Sequence, residues 1–190
     1  MKKQRIKIVL NAPVILTFSL ACLIVTILGI VSGGLITQKF FMTYKASLSS
    51  PLTYLRAFTH VLGHSGWAHF FGNISLILLL GPMLEEKYGQ KKIALIIAIT
   101  AIATAIINAA FFPGTALCGA SGVVFAFILL TSFTEFSDGE IPITFILVAA
   151  IYAGQEIINA IFVNDNVSQM AHLIGGAVGA MAGFSWNRKG

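Results

Sequence analysis

Five polar side chains stand where the surrounding chain is apolar enough to fill a membrane: His69, Asn73, Ser121, Glu156 and His172. Polar groups at membrane depth are costly, so they mark function or pairing. A serine hydroxyl is a weak nucleophile until a base takes its proton, and an imidazole can be that base. An asparagine amide can donate to a developing oxyanion. Ser121, His172 and Asn73 therefore suit nucleophilic acyl transfer, provided that the fold brings them together.

Singly, each residue has a plainer explanation. A serine at a helix start is commonly an N-cap. Gly119-Ala120-Ser121-Gly122 is a short pattern, distinct from the Gly-x-Ser-x-Gly nucleophile elbow. Asn73 suits an interhelical hydrogen bond. Glu156 suits a bond to Asn159, to loop residues or to water, or else a polar gate on the substrate side. The conjunction carries the case.

The elements that must position these residues are membrane spans. The chain has 190 residues, 57% hydrophobic and 10% charged, with a mean hydropathy of +0.89. A soluble domain carries about 25% charged residues, so a soluble, disordered or nucleic-acid-binding chain is excluded despite the net charge of +5. Cys22 and Cys118 offer neither a disulfide framework nor a cysteine-based zinc site. A span needs about 20 apolar residues, and six segments qualify: 13–36, 67–84, 93–112, 120–133, 141–163 and 170–186. The expectation is an all-α membrane protein, a six-transmembrane-helix bundle in one domain over 1–190, with one external loop at 37–66 lying along the membrane surface.

Lys2, Lys3, Arg5 and Lys7 look like the start of a signal peptide, but the apolar stretch that follows is too long and no Ala-x-Ala site closes it. An uncleaved first helix is expected. With both termini in the cytoplasm, these four together with Lys87, Lys91, Lys92, Arg188 and Lys189 fall inside, and only Lys39, Lys45 and Arg56 fall outside. That asymmetry follows the positive-inside rule.

Depth brings the polar set together. Counting back from the cytoplasmic ends, Glu135 to Ser121, Asn187 to His172, Glu85 to His69 and Glu140 to Glu156 are 14, 15, 16 and 16 residues. At 1.5 Å each these are about 21–24 Å, with Asn73 at about 18 Å. Four helices thus present polar groups at one height, below the outer surface. On the sixth, His172, Gly175, Gly179 and Gly183 share a face. Small residues let helices approach closely, and Gly122 and Ala126 offer the matching spacing on the fourth. Their contact would set Ser121 beside His172. The short fourth helix would leave a water-filled cavity above its N-terminus, whose free N–H groups suit an oxyanion.

At this point the motifs resemble those of the rhomboids, the intramembrane serine proteases, in their six-helix bacterial form. The likeness covers nearly the whole chain, most clearly Tyr54 to Phe184. His69-Phe70-Phe71-Gly72-Asn73 resembles the family's His-x-x-x-Asn, Gly119-Ala120-Ser121-Gly122 its Gly-x-Ser-Gly, and Ala171-His172-Leu173-Ile174-Gly175 with Gly179 its Ala-His-x-x-Gly-x-x-x-Gly. The resemblance implies Ser121 as nucleophile and His172 as base. It implies an oxyanion hole of His69, Asn73 and the backbone N–H of Ser121, with that of Ala120 assisting. It makes Glu85 structural and matches Arg56 to the Arg of a Trp-Arg motif. Leu55 replaces that motif's Trp, and Phe125 replaces a Tyr found against the histidine in many members. Phe keeps the stacking and loses the hydroxyl. Asp165 has nothing to fix it near His172, so a Ser–His dyad is expected.

The resemblance further implies single-span membrane proteins as substrates, the lipid bilayer as setting, a bacterial plasma membrane as location, and no cofactor, metal or nucleic acid. Two other functions compete. His60, His64, His69 and His172 could ligate a metal, although His-Glu-x-x-His is absent and Glu85-Glu86 followed by Gln90 does not fit the Glu-Glu-x-x-x-Arg of prenyl-protein proteases. A non-enzymatic protein that binds client helices would need neither Ser121 nor His172. A transporter lacks an inverted repeat and a polar path.

Overall fold

The computed structural model describes residues 9–134, 141–162 and 169–187, in backbone alone at 153, 155–157 and 159–162. Among them are eight helices: α1 (Pro13–Val31), α2 (Leu35–Phe40), α3 (Pro51–Thr59), α4 (Trp67–Tyr88), α5 (Gln90–Phe111), α6 (Ser121–Thr131), α7 (Ile143–Phe162) and α8 (Gln169–Asn187). A 3-10 turn at His60–Leu62 continues α3. The described residues hold no strand, only an isolated bridge in which Thr43 and Leu117 exchange two backbone bonds of 2.8 Å.

Three helices, α1, α4 and α5, are each long and apolar enough to cross a membrane. This is an integral membrane protein. The expected count of six spans is met only in part. α6 is apolar but has 11 residues, about 16 Å against a hydrocarbon core of about 30 Å. The apolar stretch of α7 with described side chains is also short, Ile143–Tyr152.

Two expected boundaries are corrected. The segment 13–36 is not one helix. Gly33 and Gly34 have φ of 61° and 89°, a left-handed backbone that ends helices, and α2 starts anew at Leu35. The segment 37–66 is not a loop either. Pro51 sits in the first turn of α3, where its missing N–H costs nothing. α3 is inverted relative to a soluble helix: Tyr54, Leu55 and Phe58 are exposed while Arg56 is buried. Such a helix suits an apolar solvent.

α1 is held to α4 at the end where it begins. The buried Glu85 carboxylate of α4 accepts the N–H groups of Val14 and Ile15, both at 3.0 Å. Free N–H groups at a helix start are natural partners for a carboxylate. Ile15 packs on Gly81, where a Cβ would lie 2.6 Å from its Cδ1.

α6 is buried on nearly every side, with Val123, Ala126, Phe127 and Leu130 fully enclosed. Its closest neighbour is α8. A Cβ on Gly175 would collide with the Gly122 carbonyl, and one on Gly179 with the Ala126 carbonyl. These are the pairings that the two spacings predict. His172, Gly175, Gly179 and Gly183 all lie on the buried face of α8.

Candidate active site

Ser121 is the first residue of α6, and Gly119 precedes it with φ of 124°. At that φ a side chain is strained, and space forbids one too. A Cβ at Gly119 would lie 2.6 Å from the His69 Nε2 and 3.7 Å from the Asn73 Nδ2. Both side chains of α4 therefore face the backbone leading into Ser121. The Gly119 N–H donates to the His60 carbonyl at 2.9 Å, which pins this segment to the 3-10 turn.

His172 arrives from the other side. The Ala171 carbonyl lies 3.3 Å from where a Gly122 Cβ would be, so the neighbours of Ser121 and His172 are in contact. The imidazole stacks on Phe125 with ring centroids 4.4 Å apart and planes 5° from parallel. Phe125 is one turn beyond Ser121 on α6, and residues four apart share a helix face. The His172 ring thus covers the face that carries Ser121. Tyr152 of α7 meets the same Phe125 edge-on at 5.4 Å. A largely apolar cavity of about 200 Å³ adjoins His172, lined in part by Phe125, Tyr152, Ala149 and Gly176.

The donors opposite are in order. Asn73 is buried, and its Nδ2 has no hydrogen-bond partner among the described residues. A buried amide without a partner is costly unless something else accepts from it. The His69 Nδ1 lies 3.5 Å from the Ser65 backbone N–H and 3.1 Å from its Oγ. A backbone N–H only donates, so Nδ1 is the acceptor. In a neutral ring the proton then sits on Nε2, the nitrogen facing Gly119. His69 and Asn73 thus face the backbone that leads into α6, and His172 stacks on the first turns of that helix.

His60 and His64 border this site and are engaged in other hydrogen bonds. His60 donates through Nδ1 to the Arg56 carbonyl at 3.1 Å, leaving Nε2 to the Thr104 hydroxyl at 3.2 Å. His64 donates through Nδ1 to the Leu62 carbonyl at 3.2 Å and meets His69 edge-on at 5.1 Å. Burial pushes both pKa values down to about 4, and the neighbouring His69 adds to the effect on His64. Among the described residues no three His, Cys, Asp or Glu side chains gather as metal ligands.

His69 and Asn73 are thus set against Gly119, two residues before Ser121, and His172 against Phe125, one turn after it. The Glu156 side chain and Asp165 lie outside the described residues, as do Glu135 and Glu140, which anchored the depth count. Sequence reasoning missed Ser65 and Tyr152. Ser65 carried a signal, since it precedes His69 by one helical turn. Tyr152 carried none, because an aromatic on an apolar helix looks like packing.

Compared with known proteins, residues 51–189 match the family model described as the Rhomboid domain. Rhomboid-related protein 2 of Mus musculus is 30% identical over 169 residues, covering 78% of this chain and 56% of its own length. RHOMBOID-like protein 4 of Arabidopsis thaliana is 27% identical over 128 residues, 64% of this chain and 31% of its own. Rhomboid-related protein 1 of Caenorhabditis elegans is 28% identical over 130 residues, 64% of this chain and 36% of its own. The chain spans from about a third to just over half the length of these relatives.

Proposed function

This chain belongs to the rhomboid family, and on that footing we propose that it is an intramembrane serine endopeptidase that cuts transmembrane segments with a Ser121–His172 dyad. The observation that carries the proposal is the His172 ring stacked on Phe125, one turn from Ser121. Stacking fixes the plane of the imidazole over the serine face of α6, and a base is useful only when it is oriented.

The reaction then runs as follows. A single-span substrate enters sideways near α4 and α7, and its end unwinds, because a peptide bond inside a helix is shielded and hydrogen-bonded. Small or helix-breaking residues make that unwinding less costly. His172 takes the Ser121 proton as Oγ attacks the carbonyl carbon. The oxyanion is met by the Asn73 amide, the His69 Nε2–H and the free N–H groups at the start of α6, those of Ser121 and Ala120. His172 passes its proton to the leaving amine, and an acyl-enzyme remains. Water, deprotonated by the same imidazole, releases the acid and restores the hydroxyl. The small cavity beside His172 suits a small side chain at the bond to be cut. No step needs a metal or a nucleotide.

The same reading makes α1, α4, α5, α6, α7 and α8 the six spans, with both termini cytoplasmic. It sets the protein in a plasma membrane, bacterial by its resemblance to the six-helix form.

The test is cleavage of a single-span substrate in liposomes by wild type, Ser121→Ala and His172→Ala, each with and without a chelator. Activity should vanish in both variants and be unchanged by the chelator. Cleavage that persists in Ser121→Ala sinks the serine mechanism. No cleavage by wild type across several substrates would favour a binding protein.

A further inference from the structure

Arg56 is 8% exposed, yet most of its hydrogen-bonding capacity is unspent. A guanidinium has five N–H donors. Nε donates to the Lys39 carbonyl at 2.8 Å, and the Tyr44 ring covers the group at 4.6 Å. Among the described residues neither terminal nitrogen has a hydrogen-bond acceptor, and no carboxylate pairs with the charge. Burying a cation without a counter-charge is expensive. The side chain lines an open cavity of about 610 Å³ together with Lys39, Tyr44, Gln38, Phe40 and Leu35. Lys39 also lines this cavity, and its ammonium lies 5.2 Å from the ring of Phe40, another of the lining residues.

We propose that this cavity binds the phosphate of an anionic phospholipid headgroup. A planar fork of donors matches two phosphate oxygens, and a nearby lysine adds a point charge. Three features favour a lipid over a free phosphate ion. The first is height. The 19 residues of α1 rise about 28 Å, close to one hydrocarbon thickness, and the cavity lies just past the end of that helix. The second is the rim. Leu35 in the cavity wall is 70% exposed, and Leu55 and Phe58 of α3 are exposed beside Arg56. Acyl chains can cover such side chains, whereas water cannot do so without cost. The third is the inversion of α3, which turns its cation inward and its apolar side chains outward.

The full chain, purified in detergent, is titrated with phosphatidylglycerol, phosphatidylcholine or glycerol phosphate and followed by native mass spectrometry. One phosphatidylglycerol should be retained per protein in preference to phosphatidylcholine. Lys39→Gln and Arg56→Lys should each weaken that retention about tenfold, one losing a charge and the other the fork. Lys45→Gln, which removes a nearby charge outside the cavity, should leave it unchanged. If Arg56→Lys does not fold, Lys39→Gln against Lys45→Gln still decides. Equal retention in Lys39→Gln and wild type overturns the site, as does an equal loss in Lys45→Gln, which would mean diffuse charge. Glycerol phosphate bound as tightly as the lipid overturns the lipid as the source.

Discussion

A neutral imidazole has one N–H, and the nitrogen that carries it decides whether His69 can donate toward Ser121. The Ser65 backbone N–H, 3.5 Å from Nδ1, favours the form with the proton on Nε2. Ser65→Ala keeps the weak backbone contact and loses the hydroxyl. Its kcat should fall about tenfold with KM unchanged, less than the 10²–10³ typical of deleting an oxyanion donor outright. Ser65→Thr should restore the rate, and steady-state cleavage of the model substrate reads both. At this scale the types of the central residues were legible, because a polar side chain in an apolar chain stands out. The role of Ser65 was legible only in its spacing, one helical turn before His69, since in type it is an ordinary exposed serine. Phe125 shows that a departure from the family's pattern can keep its physical part: the ring still stacks on His172. Leu55, in place of a tryptophan, is simply exposed.

Helix α8 was the most legible element. Three glycines and a histidine at spacings of 3 and 4 announced a packed face, and that face meets Gly122 and Ala126. Gly179→Ala drives a methyl into a backbone carbonyl that cannot yield without moving α6. It should destabilise the protein by about 1–3 kcal/mol and disturb the His172 register as well. Gly72→Ala in α4 meets nothing within 4 Å and should be neutral or slightly stabilising, since alanine favours a helix. Thermal melts of the two variants in detergent make the comparison. The segment from Val31 to Gly66 was the least legible. Its glycine pair reads as a tolerated flaw inside an apolar run, and α2 is too short for a helical pattern to show. The inversion of α3 hides Arg56 in the fold while the sequence shows only one more loop cation.

Across the whole molecule, His60 and His64 tie α3, α5 and the start of α4 together in neutral form. Both fold with pKa near 4, below the ordinary value of about 6.5. Below pH 6.5 the unfolded chain binds protons that the folded chain refuses, so stability falls as pH falls. The loss should run from pH 6.5 to about 4, amounting to about 3 kcal/mol per histidine. The melting temperature should drop across that window, and its slope should be shallower in His60→Gln. The family's matched region begins at residue 51, so α1 lies outside it. Even so, Glu85 holds the start of α1 through two hydrogen bonds. This attachment runs through space, 70 residues away along the chain. Two polypeptides, 1–45 and 46–190, made separately in one cell should therefore find each other and restore cleavage. Glu85→Ala should leave the pair apart. Restored cleavage would make α1 less a leading segment of the chain than a subunit that happens to be fused.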